Sequence, residues 1–300
     1  MPDALRGVLI LTGATASGKT QLAIELARRF DAEIVGADSR QIYRGMPIGT
    51  AMPSPEQLAA VPHHCVGFVD PRERYSAARY AQDALAAIRA IAGRGKRVIV
   101  AGGTGFYVRA LTGGVALAAQ YDERLRERLA REVRMHSAEF LHAWLALRDP
   151  ARAARLHPRD TYRVVRGLEI ALAPQSVARD VPLRTLTDAG LRWAMAVLDV
   201  RTEDLDARIA ARCEHMLEAG LVEEAERIGG DAVAATAVGY PQALSYLHGW
   251  CTYDELRQSL VRATRRYARR QRAWFRGEPD ALWIDPSAVA SLVREKLGWR

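Results

Sequence analysis

Residues 8–20 read Val8-Leu9-Ile10-Leu11-Thr12-Gly13-Ala14-Thr15-Ala16-Ser17-Gly18-Lys19-Thr20. A short apolar run enters a glycine loop. Residues 21–30 follow, with Leu22, Leu26 and Phe30 at helical spacing. Strand, loop and helix in that order give the pattern Gly-x-x-x-x-Gly-Lys-Ser/Thr its meaning as a phosphate-binding P-loop. Gly13 and Gly18 allow backbone angles that a Cβ would penalise. The amides from Gly13 to Thr20 and the helix N-terminus then converge on one anion. Lys19 adds a point charge, and the Thr20 hydroxyl suits Mg²⁺. Only three lysines, Lys19, Lys96 and Lys296, stand among the 43 basic residues. An ammonium at position 19 is therefore not compositional habit. The loop implies a bound di- or triphosphate and leaves the reaction open.

Working outward, residues 33–37 read as a second strand, ending at Asp38-Ser39-Arg40-Gln41. Functional groups of open α/β sheets gather at the carboxyl ends of strands, which sets Asp38 beside the loop mouth. Residues 75–92 form an expected helix with Ala81, Leu85 and Ile88 on one face. Residues 97–101 are a third apolar strand, running into Gly102-Gly103-Thr104-Gly105, a second glycine turn facing the same ligand. From 117 to 173 strand-like runs vanish and Arg, Glu, Ala and Leu dominate, as in two to four helices. Residues 174–190 read as loop, and 193–200 as a strand holding Asp199 near its end. The expected fold is α/β: a P-loop NTPase-like parallel-sheet core from residues 1–115 and 190–300, with a mainly helical insertion domain at 116–189.

Residues 204–228 predict a long helix, with Gly220 as a candidate break. It places Arg208 and Arg212 four apart on one face. Residues 237–241 read as a turn and 253–276 as another long helix. The end of that helix, residues 262–276, carries seven Arg together with Tyr267, Trp274 and Phe275. Cations crowded into about 22 Å of helix repel one another unless an anion answers them. Aromatic rings beside Arg suit a nucleic acid.

Composition narrows the class. The 300 residues are 49% hydrophobic, enough for a sizeable core. No apolar run approaches the length of a membrane span, and the N-terminal residues lack a signal peptide's apolar stretch. Cys65, Cys213 and Cys251 are too scattered for a disulfide framework or a zinc site. Adjacent His63 and His64 do not share a helix face, and no Cys or carboxylate cluster joins them to make a metal site. The expectation is a cytoplasmic protein without membrane association. A net charge of +8 favours a polyanionic partner.

Two chemistries fit these residues. Phosphoryl transfer wants a strand-terminal Asp for Mg²⁺, and Asp38 and Asp199 both qualify. Alternatively diphosphate is the leaving group and carbon is transferred. An adenine exocyclic amine attacks poorly because its lone pair is delocalised. A carboxylate such as Asp38 would orient that amine and take its proton. The residues by themselves leave both readings open.

The chain resembles the tRNA dimethylallyltransferase family, also called tRNA isopentenyltransferases. Matching blocks run through nearly its whole length: residues 13–20, Asp38 to Met46 and on to Ala51, Val61-Pro62-His63-His64, and Gly102 to Tyr107. Later blocks are Asp149-Pro150, residues 154–158 with 163–169, Val238-Gly239-Tyr240, and residues 264–271 with Trp274. The resemblance implies transfer of a dimethylallyl group from dimethylallyl diphosphate to N6 of the adenosine 3′ to the anticodon of tRNA, with Mg²⁺. It implies that Lys19 and Thr20 bind diphosphate and metal, helped by Thr104. Arg212 then binds diphosphate with Arg208 beside it, and Asp38 is the base. Implied tRNA contacts are Asp38, Ser39, Arg40 and Gln41, then Tyr162, Arg163 and Arg166. Thr236, Gly239 and Tyr240 follow, and then Arg269, Arg270, Gln271, Arg272, Trp274 and Arg276. The insertion resembles the family's anticodon-arm domain, and a monomer is expected. Ala14 replaces a usual Pro, Tyr162 a usual Gln, and Pro241 a commonly basic residue. Competing readings are a prenyltransferase of free adenylate and a P-loop small-molecule kinase. A third is an RNA-binding module with a degenerate loop, against which the intact Gly18-Lys19-Thr20 argues.

Overall fold

A computed structural model describes residues 7–113, 122–173 and 184–300. The chain divides into two compact units, residues 1–114 with 184–300, and residues 115–183.

In the first unit six strands form one sheet: β1 (Gly7–Thr12), β2 (Ala32–Gly36), β3 (His63–His64), β4 (Arg97–Ala101), β5 (Arg192–Leu198) and β6 (Ala281–Ile284). Their order is β3-β2-β4-β1-β5-β6, and every pairing is parallel. Leu9 lies opposite Ile99 on one side and Ala194 on the other. Every residue of β1 is buried, as expected where helices cover both faces of a parallel sheet. The helices are α1 (Lys19–Phe30), α2 (Pro55–Ala60), α3 (Ala77–Gly93) and α4 (Gly105–Thr112). The second unit holds α5 (Glu123–Met135), α6 (Ala138–Arg148), α7 (Pro150–Ala153) and α8 (Thr161–Leu172). The chain then adds α9 (Thr202–Glu218), α10 (Leu221–Ile228), α11 (Tyr240–Leu247), α12 (Tyr253–Arg276) and α13 (Val289–Leu297) to the first unit.

One layer of core joins α1 and α13 to the sheet. Ile24, Leu26 and Phe30 meet Leu9, Leu11, Val293 and Leu297 there, and Trp299 packs edge-on against Phe30 at 5.6 Å. Tyr80, Leu85, Ile88 and Ile91 of α3 are also buried. The second unit has its own core of Leu129, Leu141, Leu145, Val164 and Leu168. Part of the stretch read from sequence as loop, 174–183, lies outside the described residues.

Two local expectations need correction. The helix expected over 204–228 is two helices, because Gly220 takes φ 98° and starts α10. The turn expected at 237–241 is a helix start: Gly239, at φ 109°, precedes α11, and Pro241 sits in its first turn. Separately, the stretch with Pro53, Pro55 and Pro62 holds α2, whose capping box pairs Ser54 with Gln57.

Candidate active site

The carboxyl ends of β1, β2 and β4 bring three loops together. The first is the P-loop. Gly13 has φ 145° and Gly18 φ 89°, backbone that favours glycine. Lys19 Nζ reaches back across the loop to the Ala14 carbonyl at 2.6 Å and Ser17 Oγ at 3.5 Å. The second is the turn after β2, where Asp38 Oδ1 accepts from the Arg40 amide at 2.9 Å. The third is the glycine turn after β4. Its glycines permit close approach rather than flexibility. A Cβ on Gly102 would lie 2.2 Å from the Ala37 carbonyl, and one on Gly105 2.2 Å from the Trp274 ring. Thr104 Oγ1 accepts the Ser39 amide at 2.9 Å and lies 3.2 Å from Ser39 Oγ. The β4 turn therefore holds the Asp38 turn in place.

Two adjoining hollows lie at these loops. A small chamber of about 60 Å³ has Lys19, Thr20, Asp38, Gln41 and Arg212 in its walls. A larger, mostly apolar cavity of about 410 Å³ is walled by Phe106, Met216, Leu260, Tyr267 and Trp274, together with Ser39, Arg40, Thr104, Thr236 and Arg270. Asp38 and Arg212 line both, so the two spaces share a border of one anion and one cation.

Charge in this border is unbalanced. Burial, with the positive field of Arg212, lowers the Lys19 pKa to about 8, against the opposing pull of Asp38. Burial also lowers Arg212, opposed by Asp38. Arg212 Nε is buried without a hydrogen-bond partner. Buried polar groups are normally satisfied, and two crowded cations at a P-loop are what an incoming polyphosphate would satisfy. Burial and Asp38 raise the Tyr267 hydroxyl above its ordinary value, so it is a neutral wall group.

The structure gathers most of the expected donor-site residues and separates some others. Arg208 lies one turn from Arg212 toward the start of α9; it is exposed and lines neither hollow. Thr104 lines the larger cavity, not the chamber of Thr20. Several expected tRNA contacts are committed internally. Tyr240 is fully buried and its hydroxyl donates to Glu224 at 2.7 Å. Gln271 is 6% exposed, and both ends of its amide are engaged, at Thr15 and Gly103. Gln41 donates to the Thr50 and Ala51 carbonyls, and Gly239 is buried. Arg272 is paired with Asp199 at 3.4 Å and donates to the Val200 carbonyl. Arg276 lies over Trp283 at 6.0 Å, and Arg269 and Arg270 are exposed. Tyr162, Arg163 and Arg166 belong to the second unit, where Tyr162 is 80% exposed.

Sequence reading missed Glu224. Its buried carboxylate accepts the Ile48 and Gly49 amides at 3.0 and 2.7 Å, besides the Tyr240 hydroxyl. It thereby fixes the loop that carries Thr50 into both hollows. It also missed Phe106 and Tyr267 as cavity walls. Glycine 105 beside Phe106, and the aromatic-arginine mixture of 262–276, were the only signals available.

The parallel sheet, with the glycine loop and α1 at its carboxyl edge, defines a P-loop NTPase-like α/β fold. A family model described as IPP transferase matches residues 41–278. A tRNA dimethylallyltransferase of Anaeromyxobacter dehalogenans (strain 2CP-C) is 44% identical over 297 residues, covering 96% of this chain and 99% of that protein. One from Geobacter sulfurreducens is 42% identical over 284 residues, covering 93% and 91%. Among solved structures, the tRNA isopentenylpyrophosphate transferase of Bacillus halodurans matches with TM-score 0.70 and 33% identity, over 98% of this chain and 97% of that one. A eukaryotic dimethylallyltransferase captured acting on tRNA shares the fold at TM-score 0.75 and 23% identity, over 97% of this chain and 76% of that one. The chain belongs to the IPP transferase family, the family of the tRNA dimethylallyltransferases, and is a prenyl-transferring enzyme.

Proposed function

We propose that the chain transfers a dimethylallyl group from dimethylallyl diphosphate to N6 of the adenosine 3′ to the anticodon of tRNA, releasing diphosphate. The observation that carries this reading is the shared border. The chamber of Lys19, Thr20 and Arg212 suits diphosphate, and the apolar cavity suits a prenyl group and a planar base. Asp38 stands where they meet.

The P-loop amides, Lys19 and Arg212 hold the diphosphate and take up negative charge as the allylic C–O bond breaks. The adenine N6 lone pair forms the new C–N bond. Asp38 accepts the proton that N6 loses, and the Thr104–Ser39 contacts keep that carboxylate aimed at the border. The apolar walls exclude water, which would otherwise capture the allylic carbon.

The residues present also fit Mg²⁺. Among the described residues no three His, Cys, Asp or Glu side chains converge as a cage. Mg²⁺ commonly binds through one or two protein groups plus phosphate oxygens and water. The Thr20 hydroxyl in the chamber would hold it. When bound, it neutralises charge on the departing diphosphate.

The arginines at 262–276 and the second unit supply candidate tRNA surface, the latter for the anticodon arm. No helix among the described residues is long and apolar enough to cross a membrane. A cytoplasmic monomer is the setting we propose.

The test separates two roles for Asp38. Asp38→Asn should lower turnover by roughly 10²–10⁴ while Mg²⁺-diphosphate affinity survives in calorimetry. Equal loss of that affinity would instead make Asp38 a metal ligand.

A further inference from the structure

Gln271 of α12 bridges two loops that are distant in sequence. Its Oε1 accepts the Thr15 amide at 2.8 Å, and its Nε2 donates to the Gly103 carbonyl at 2.9 Å. The fit leaves no slack: a Cβ on Gly103 would lie 2.2 Å from Nε2. One bridge end needs an acceptor and the other a donor, so a carboxamide satisfies both where a carboxylate or an ammonium would not. Gln271 and Thr15 line the small chamber and the large cavity alike. The bridge is therefore part of the partition between them.

The position matters because Thr15 is a P-loop amide. A P-loop grips phosphate oxygens with its row of backbone N–H groups. Here the third N–H of the row counted from Gly13, at Thr15, already carries a glutamine oxygen. No phosphate oxygen can share that N–H, and the amide oxygen beside it repels one. The row left open runs from the helix end, at Lys19 and Thr20, toward that stop, interrupted at Ser17, whose amide donates to the Ala14 carbonyl at 3.2 Å.

We propose that Gln271 sets the length of the anion cradle, making this P-loop select a diphosphate ester over a nucleoside triphosphate. This rests on the chamber being the diphosphate site of the proposed reaction. The phosphates of a bound donor would lie between Thr20 and the bridge. A third phosphate would have to displace the Gln271 carboxamide.

Calorimetry on the whole chain with Mg²⁺ tests this, using inorganic pyrophosphate and tripolyphosphate as probes, so that no tRNA or turnover enters the readout. Wild-type protein should prefer pyrophosphate by about tenfold or more, the scale of one hydrogen bond to a charged group. Gln271→Ala, shown to be folded by its thermal melt, should remove that preference by freeing the Thr15 amide and its space. Gln271→Ser carries the same expectation if the alanine chain does not fold. Gln271→Met, which keeps the bulk without the acceptor, should stay closer to wild type. The inference is overturned if the small variants keep the wild-type ratio, or if wild type binds both probes equally. Wild type binding neither probe would defeat the diphosphate-site reading itself, and this inference with it.

Discussion

Lys19 and Arg212 crowd two cations into a space that holds one carboxylate, Asp38. Removing the lysine charge in Lys19→Ala should cost about 10²–10³ in turnover at saturating donor. Near wild-type turnover would show that the ammonium does not act on the leaving group. The lowered pKa of Lys19, about 8, gives a second readout with a definite sign. Below that value the free protein already carries the charge that diphosphate needs. Above it, binding must first take up a proton, because bound diphosphate returns the pKa toward the ordinary 10.5. Diphosphate affinity should therefore fall as pH rises above about 8, and Lys19→Ala should lose that alkaline limb. The same linkage acts on folding. Between about 8 and 10.5 the folded chain holds fewer protons at Lys19 than the unfolded chain, so the burial cost of this residue shrinks as pH rises. At this scale the sequence was readable where chemistry is local. Lys19 and Thr20 lie within a contiguous motif, and Asp38 ends an apolar strand. Gln271 and Glu224 were not readable, because their partners lie 256 and about 176 residues away. Helical spacing also overreached: Arg208 shares a face with Arg212 but sits about 6 Å back along the axis.

The loops of this site are shaped by elements behind them. The buried Glu224 of α10 braces the segment after β2 at Ile48 and Gly49, and the Tyr240 ring leaves no room at Gly49, where a Cβ would lie 2.6 Å away. Glu224→Ala strands two amides and a hydroxyl in the interior. Each unsatisfied group costs about 1–3 kcal/mol, though not additively. A loss of roughly 3 kcal/mol in urea unfolding is expected; a loss below about 0.5 kcal/mol, the scale of an ordinary surface change, would show that the clamp is incidental. Gly102→Ala should be as damaging, since the added Cβ meets the Ala37 backbone, which cannot swing aside as a side chain can. Strand and helix identities were legible because apolar runs and 3.6-residue periodicity are properties of short windows. The close approaches of Gly102, Gly103 and Gly105 were visible only as a glycine-rich turn. What presses on them comes from α12 and from the end of β2, and no window contains both.

For the molecule as a whole, the excess of positive charge has a place to act. Arg262, Arg266, Arg269, Arg270 and Arg276 of α12 are exposed, and Arg270 also lines the large cavity. If about four phosphates of a single-stranded loop are contacted, log affinity for tRNA should fall with log salt at a slope near −3. Replacing Arg269, Arg270 and Arg276 with Ala should flatten that slope by about two units and leave inorganic pyrophosphate affinity unchanged, since none of the three lines the small chamber. An unchanged slope in filter-binding titrations would move the RNA surface elsewhere. The parallel α/β core was legible from the alternation of strand and helix patterns. So was the change of texture after residue 117, since a stretch without strand runs cannot add to a sheet. The position of the cavity was not, because Leu260, Tyr267 and Trp274 meet Phe106 and Met216 only once the sheet has formed. The central claim, prenyl transfer to adenine N6 from a P-loop-held diphosphate, is tested most directly by mass spectrometry of tRNA incubated with the protein, Mg²⁺ and dimethylallyl diphosphate. The predicted result is one dimethylallyl group on the adenosine 3′ to the anticodon, with wild type and not with Asp38→Asn. Unmodified tRNA, or free AMP prenylated as efficiently as tRNA, would contradict it.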